Sequence, residues 1–406
     1  MRPIRVLTPN FELLGEIDTY QSLIFTMRWH SVGEFQLVIN RHMAYADTLQ
    51  KGNLIWLYPD PRKAGIILYR GIQLDERGKV SENWEIRGVT LDGITQRGHV
   101  VPPEGMAYDR SSGNAENVMK HYVNSTFINP QDTKKIISQI AIAPSQNRGE
   151  NIRWQARYSR LDEELERISY LTGLGWHMQL DWENQKWLFD VQEGTDRTAD
   201  QNVNPPVIFS PEFDSVRMQS FFDSDIGYAN VAYVAGQGEG EERRIVIVGD
   251  AEGLDRFELF VDARDIAEED EEGNPRPEEE IIADLEQRGR EKLAEHAREL
   301  SFEAQIMTPI TGKEHDFAWL HPAHLYMEER ERLISPFVYE HDWFLGDIVT
   351  VQNKDWGVTM NARITEIREI YEPSGFRLEA VFGNSVPTFI EKLKQTLNQL
   401  ENEVRR

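Results

Sequence analysis

The sequence predicts a mainly β protein with α/β insertions, built as two related β-barrels, further α/β domains and a C-terminal helix. Three observations carry that prediction. Short apolar runs with period-two alternation recur towards both ends of the chain, helical patterns sit in the middle and at the extreme C-terminus, and one stretch near the start is restated near the end. At 406 residues the chain also exceeds what one hydrophobic core usually serves, so several domains are expected.

The restated stretch comes first. In "GFRLEAVFG" Phe376, Leu378, Ala380 and Phe382 alternate with Arg377, Glu379 and Val381, the pattern of a half-buried strand. The turn Glu372-Pro373-Ser374-Gly375 precedes it, and before that a run around Ile364 and Ile367 completes a hairpin. Gly346-Asp347 opens a further strand over Ile348 to Val351. Residues 52–88 present the same order: Gly52-Asn53 opens Leu54 to Leu57, Ile72 lies on a middle strand, and Trp84-Glu85-Ile86-Arg87-Gly88 alternates like Phe376 to Ala380. Ile72 to Trp84 spans the same distance as Ile364 to Phe376, and the gap from the opening glycine differs by two residues. Any β-meander shows glycines, turns and alternation, so these residues alone leave a chance likeness open.

The remaining elements follow in chain order. Residues 1–100 read as nearly all β, with Phe35, Leu37 and Ile39 of "GEFQLVIN" alternating with Glu34, Gln36 and Val38. Residues 101–204 read as an inserted α/β domain. In it "SSGNAENVMKHYVNSTF" and "SRLDEELERISYLTG" are helical, the second with Ser159 as N-cap and Asp162 as first-turn acid, and a hairpin turns at Glu183 to Lys186. Strands resume in "GYANVAYVAG", "RRIVIVG" and "RFELFVDAR"; being too few to close a sheet alone, residues 205–264 are expected to complete the first barrel with residues 1–100. Residues 265–329 form an acidic loop and helical outer region, the helix marked by Ile281, Leu285, Leu293, Ala297 and Leu300. Residues 330–385 form the second barrel and residues 386–406 the C-terminal helix.

That last helix opens on a capping box, Thr388 and Glu391, with Pro387 just ahead. Ile390, Leu393, Leu397, Leu400 and Val404 then recur at alternating steps of three and four, the seam of a coiled coil. They are the candidate oligomerisation residues. Two heptads do not associate alone, and the alternative is a helix packed on its own subunit.

Composition excludes several function classes. With no cysteine, thiol catalysis, thiolate zinc sites and disulfides are ruled out. No run approaches the roughly 18 apolar residues of a membrane span, and "MRPIRVLTPNFELLG" lacks the apolar core of a signal peptide, so production in the cytosol is expected. Sixty-nine acidic against 44 basic residues give a formal charge of -25, which opposes a sequence-independent grip on DNA and favours solubility.

No catalytic, cofactor-binding or metal-ligating residue is assigned. Glu268, Asp270, Glu272, Gly273 and Glu279 imitate a calcium loop, but Pro275 and Pro277 fall where that loop needs backbone donors. "GQGEG" at 236–240 leads into a strand, where a phosphate cradle needs a helix N-terminus. His321 and His324 flank Pro322, and with His341-Asp342 they show no His-Glu-x-x-His spacing.

"VGEFQLVIN" at 32–40, "IRGVTLDGITQRGHVVPP" at 86–103, "YLTGLGWHMQLDWENQKWLFDV" at 170–191, "NVAYVAGQGEGEERR" at 230–244, and "LGDIVTVQN" with "ARITEIREIYEPSGFRLEAVFGN" at 345–384 resemble the hub proteins of siphovirus tail tips. That family is similar in fold to the baseplate hub of contractile tails and the base of bacterial secretion spikes. The resemblance covers nearly the whole chain and lies in the order of strands and turns. It implies a non-enzymatic homotrimer in the virion, assembled in the host cytoplasm. Two barrels per subunit would give six to match the hexameric tail tube, around a channel through which DNA passes without specific binding. The implied partners are tail tube and distal tail proteins, and tip or fibre proteins; a cofactor is not implied. Many relatives continue into a peptidase or lysin region, so a hydrolase would lie on another chain. A tail-associated cell-wall hydrolase and a spike-base subunit of a contractile injection device are the alternatives.

Overall fold

The computed structural model describes residues 1–73, 82–269, 274–307 and 337–383. The chain opens with a hairpin, β1 (Ile4–Leu7) and β2 (Leu13–Ile17), then a second, β3 (Ser22–Arg28) and β4 (Glu34–Asn40). A meander follows: β5 (Leu54–Trp56), β6 (Ala64–Gly71) and β7 (Asn83–Thr90), with β7 pairing back onto β4. The alternation of β4 is realised, with Phe35, Leu37 and Ile39 buried and Glu34 exposed. Burying one face of each strand fixes the register, because a one-residue slip would turn every apolar side chain outward.

The middle of the chain is an α/β module. It holds β8 (Asp109–Asn114), helix α1 (Ala115–Val123), β9 (Ile140–Ile142), β10 (Asn151–Ala156), helix α2 (Leu161–Thr172), and the hairpin β11 (Gly175–Asp181) and β12 (Lys186–Gln192). Asn114 caps α1 by accepting from the Asn117 backbone N–H at 2.9 Å. The N-cap of α2 is Arg160, not Ser159, and it makes no side-chain cap bond; Asp162 stands in the first turn as expected. The helix stops at Gly173 in the left-handed conformation. Ile168 and Trp176 of this module share one core with Leu54, Trp56 and Ile66, so the module covers one face of the first meander. Ile4, Phe25 and Leu37 form the core on the opposite face.

The second set of strands begins with β13 (Asp196–Arg197) and β14 (Ile208–Phe209), continues with β15 (Val216–Ser224), and leaves for an excursion. The excursion is a three-stranded sheet, β16 (Val231–Ala235), β17 (Ile245–Val248) and β18 (Glu258–Asp262), backed by helix α3 (Glu278–Glu295). The sheet then resumes as β19 (Glu299–Ile306), β20 (Ile348–Asn353), β21 (Val358–Glu372) and β22 (Gly375–Gly383).

Here the structure corrects the sequence reading. Residues 205–264 do not complete a barrel with residues 1–100: β15 pairs with β19, and β16 to β18 form their own sheet. Three strands suffice there because Ile281 and Leu285 of α3 close their apolar face over Ala232, Val234 and Val261. The helix ends at Glu295, so Ala297 lies beyond it and Leu300 belongs to β19. Residues 337–383 supply three of the strands around the core of Phe302, Trp343, Ile364 and Phe382; β15 and β19, with Phe209 of β14, supply others.

Strand pairing among the described residues closes no barrel. A single 14-stranded sheet runs β15-β19-β22-β21-β3-β4-β7-β6-β5-β1-β2, with β20 beside β21, and β13 and β14 parallel to β20. The two units are continuous because β21 is long: Val358 to Arg363 pair with β20, and Glu366 to Tyr371 reach past it to pair with β3. No helix among the described residues is long and apolar enough to cross a membrane. The C-terminal helix, with Ile390, Leu393, Leu397, Leu400 and Val404, lies outside the described residues, as do His321, His324 and Asp270 to Gly273.

Candidate assembly site: a duplicated half-sheet and its joint

The strand order β3-β4-β7-β6-β5 is repeated as β15-β19-β22-β21-β20. The repeat extends to single backbone hydrogen bonds. Gly52 N–H donates to Ile67 C=O at 2.8 Å and Ile67 N–H to Asn53 C=O at 2.9 Å. Gly346 N–H donates to Ile364 C=O at 2.9 Å and Ile364 N–H to Asp347 C=O at 2.9 Å. Both glycines have φ of +90°, where a side chain is strained. A bulge follows each isoleucine, between Ile67 and Tyr69 and between Ile364 and Glu366. A cross-strand phenylalanine pair also recurs: Phe25 and Phe35 have ring centroids 6.3 Å apart, and Phe221 and Phe302 4.9 Å apart.

These bonds shift the equivalences read from sequence. Ile364 corresponds to Ile67, not Ile72, and counting along the paired strands makes Leu378 the counterpart of Trp84 in place of Phe376. The strands were matched correctly, but equal spacing was measured across connections of unequal length. A two-residue slip between Leu378 and Phe376 also leaves period-two alternation unchanged. The match of β4 to β19 was missed, although "EFQLVIN" and "SFEAQIM" both carry Phe four residues before Ile.

The joint between the half-sheets is the ladder from Arg28 opposite Glu366 to Leu23 opposite Tyr371. Arg28 Nε donates to Glu366 Oε2 at 2.8 Å and Arg28 also pairs with Glu34 at 3.0 Å. Beneath the ladder lies a buried ionic cluster. Lys63 Nζ contacts the carboxylates of Glu369 and Glu340 and lies 3.8 Å from Asp60. Tyr371 O–H donates to Glu369 Oε2 at 2.7 Å, and Arg2 donates to the Tyr371 oxygen at 3.2 Å. Burial pushes the Glu369 carboxyl up, but Lys63 and Arg2 outweigh it and hold the group below its ordinary value. Burial together with repulsion from Glu369 pushes Glu340 up. Glu369 was legible in principle, since "ITEIREIYE" places it in phase with the inward-facing Ile367 and Tyr371.

The α/β module is tied to both half-sheets near this joint. Trp29 Nε1–H donates to Gly173 C=O at 3.0 Å, while Trp176 Nε1–H donates to His30 C=O at 2.9 Å. His30 Nδ1 lies 2.7 Å from Ser169 Oγ, whose own proton goes to Leu174 C=O, so Nδ1–H is the donor. Burial, reinforced by Arg363, pushes His30 down to about 3; burial and Arg62 push His177 down to about 4.

The other motifs sit apart from the joint. Arg244 pairs with Glu268 at 3.3 Å and Glu278 at 2.7 Å, and Gly236 N–H donates to Arg244 C=O in the turn before β17. His341 pairs with its neighbour Asp342. Among the described residues no three His, Asp or Glu side chains gather as metal ligands would.

A profile of the Siphovirus ReqiPepy6 Gp37-like protein family matches residues 3–318 and 331–384. The chain belongs to that family. Three solved structures resemble this Gp37-like chain over nearly all of both partners. The 43 kDa tail protein of prophage MuSo2 from Shewanella oneidensis has a TM-score of 0.54 at 11% identity, covering 94% of this chain and 98% of the other. A tail protein from Neisseria meningitidis MC58 has a TM-score of 0.52 at 12% identity, covering 93% and 95%. Prophage tail protein gp18 from Listeria monocytogenes EGD-e has a TM-score of 0.50 at 11% identity, covering 98% and 99%. At such identities the likeness carries the fold, and this Gp37-like chain has the fold of those tail proteins. None of the curated proteins matches it.

Proposed function

We propose that this chain is the structural, non-enzymatic hub of a phage tail tip, working as a trimer that matches the hexameric tail tube to a central tip and forms part of the DNA channel. The observation that supports it best is the duplicated half-sheet, down to the equivalent bonds of Gly52 with Ile67 and Gly346 with Ile364. Three chains with two equivalent half-sheets each offer six similar surfaces to a sixfold ring, so a threefold particle can meet a sixfold one without mismatch. Tail tube and distal tail proteins would bind above, and tip or fibre proteins below. The seam of Ile390, Leu393, Leu397, Leu400 and Val404 would add to assembly once three chain ends are held close, at an effective concentration on the order of millimolar.

Light scattering on the purified chain, with electron microscopy of the particle, tests this reading. Three chains and a ring with sixfold modulation are expected; a monomer or a dimer at all concentrations would contradict it. Deleting residues 386–406 is expected to weaken assembly, and an unchanged mass would dismiss the seam.

A further inference from the structure

Inside each chain, β21 accepts β3 along the edge it shows beyond β20. In the other half-sheet the strand in the place of β21 is β6, and the strand in the place of β3 is β15. Among the described residues neither the corresponding edge of β6 nor the outer edge of β15 has a strand partner.

We propose that copies of this chain join edge to edge, β15 of one lying antiparallel along β6 of the next, repeating between chains the β3–β21 joint found within each. The proposal rests on the ring reading above and names the surface that closes the ring. The register follows from the duplication. Matching Ile67 to Ile364 places Tyr69, Arg70 and Gly71 where Glu366, Ile367 and Arg368 stand. Matching Phe221 to Phe25 places Phe222, Asp223 and Ser224 where Thr26, Met27 and Arg28 stand. Transferring the internal ladder then sets Ser224 opposite Tyr69, Asp223 opposite Arg70 and Phe222 opposite Gly71.

Three observations support the pairing. Thr26, covered at the internal joint, is 2% exposed, whereas its counterpart Phe222 is 39% exposed and Met218 on the same strand 68%. On β6, Leu68 and Tyr69 are 46% and 44% exposed. Unpaired edges with apolar side chains are templates for strand addition. The opposed charges agree as well. The guanidinium of Arg70 lies 3.9 Å from the Trp84 ring, with its buried Nε lacking a hydrogen-bond partner, and its predicted neighbour Asp223 is a carboxylate held by Arg298 at 2.8 Å. Joining unlike edges is a heterologous contact, and when it closes into a ring every β6 and β15 edge is paired.

Because the chain has no cysteine, disulfide trapping is free of background. The test uses the full chain with two paired variants, Tyr69→Cys/Ser224→Cys and Arg70→Cys/Asp223→Cys. Adjacent antiparallel pairs alternate between wide and close spacing, so at least one falls at the roughly 4.5–5.5 Å Cα separation that a disulfide accepts. After oxidation, the monomer band in non-reducing gels is expected to be lost to covalent trimers. Tyr69→Cys/Ser220→Cys, about 13 Å out of register, is expected to stay monomeric in the gel. Circular dichroism of the reduced variants confirms folding. A trimer by light scattering with neither in-register pair trapped, or with the out-of-register pair trapped equally, would overturn the edge pairing and leave the ring standing. Self-linking of the Asp223→Cys or Ser224→Cys single variants would replace it by a like-with-like contact. A chain monomeric at all concentrations and never trapped would overturn both.

Discussion

Lys63 and Glu369, 306 residues apart, form an ion pair with essentially no exposed surface, and it fastens the first half-sheet to the second. Two charges removed from water are tolerated only while each neutralises the other.

Lys63→Met is therefore expected to destabilise the fold by about 3–5 kcal/mol in urea unfolding, because buried Glu369 loses its nearest cation and keeps only Arg2 at 3.8 Å and the Tyr371 O–H. Adding Glu369→Leu removes that charge and is expected to recover most of the loss. A Lys63→Met variant within about 1 kcal/mol of the parent would mean that the pair does not hold the joint.

The two opening glycines separate backbone strain from crowding. Both have φ of +90°, but a Cβ on Gly52 meets nothing within 4 Å, while one on Gly346 would come 1.9 Å from the Trp29 ring. Gly52→Ala is expected to cost about 1–2 kcal/mol. Gly346→Ala is expected to cost clearly more, since Trp29 must leave its bond to Gly173. Equal melting temperatures for the two variants would refute this account.

His30 makes stability depend on acid. Above its ordinary value of 6.5 the ring is neutral in folded and unfolded chains alike. Below that, the unfolded chain takes up a proton that the buried ring accepts only near pH 3. Stability contributed by the neutral ring is thus lost as pH falls from 6.5 towards 3, by about 1.4 kcal/mol per pH unit. Asp92, pushed up to about 6 by burial, has the opposite sign: its stabilisation is full below the unfolded value of 3.8 and is lost as pH rises through 6. Comparing His30→Gln with the parent at each pH isolates the histidine. The expected result is a shallower acid slope in the variant, and parallel curves would contradict it.

The ring proposed above is expected to repel duplex DNA, its pore being lined mainly by acidic and neutral residues. With 69 acidic against 44 basic residues, the net charge of -25 opposes the replacement of counterions along the helix. Fluorescence anisotropy at physiological salt should show affinity weaker than about 10⁻⁴ M. Micromolar binding would refute the idea of a non-adhesive channel.

The strands were legible in the sequence because their alternation is local: Phe35, Leu37 and Ile39, like Leu378, Ala380 and Phe382, announce a buried face without reference to anything distant. Their partners were less legible. Nothing near Val216 states that it begins a strand paired with residues 299–306, across a module that folds on its own core. The joint was only half legible: Glu369 falls in phase with the inward-facing Ile367 and Tyr371, but nothing near Lys63 states that it meets a carboxylate 306 residues away.

The excursion between β15 and β19 leaves and returns at one place: Ser224 lies opposite Glu299, and Arg298 holds Asp223 at 2.8 Å and Asp225 at 3.2 Å across the neck. A segment whose two ends are already neighbours can be exchanged like a cartridge. Replacing residues 225–298 by a short turn would convert β15 and β19 into a plain hairpin of the kind that β3 and β4 already form. The neck between Ser224 and Glu299 is thus a socket at which an insert can be traded while the strands beside it keep their register.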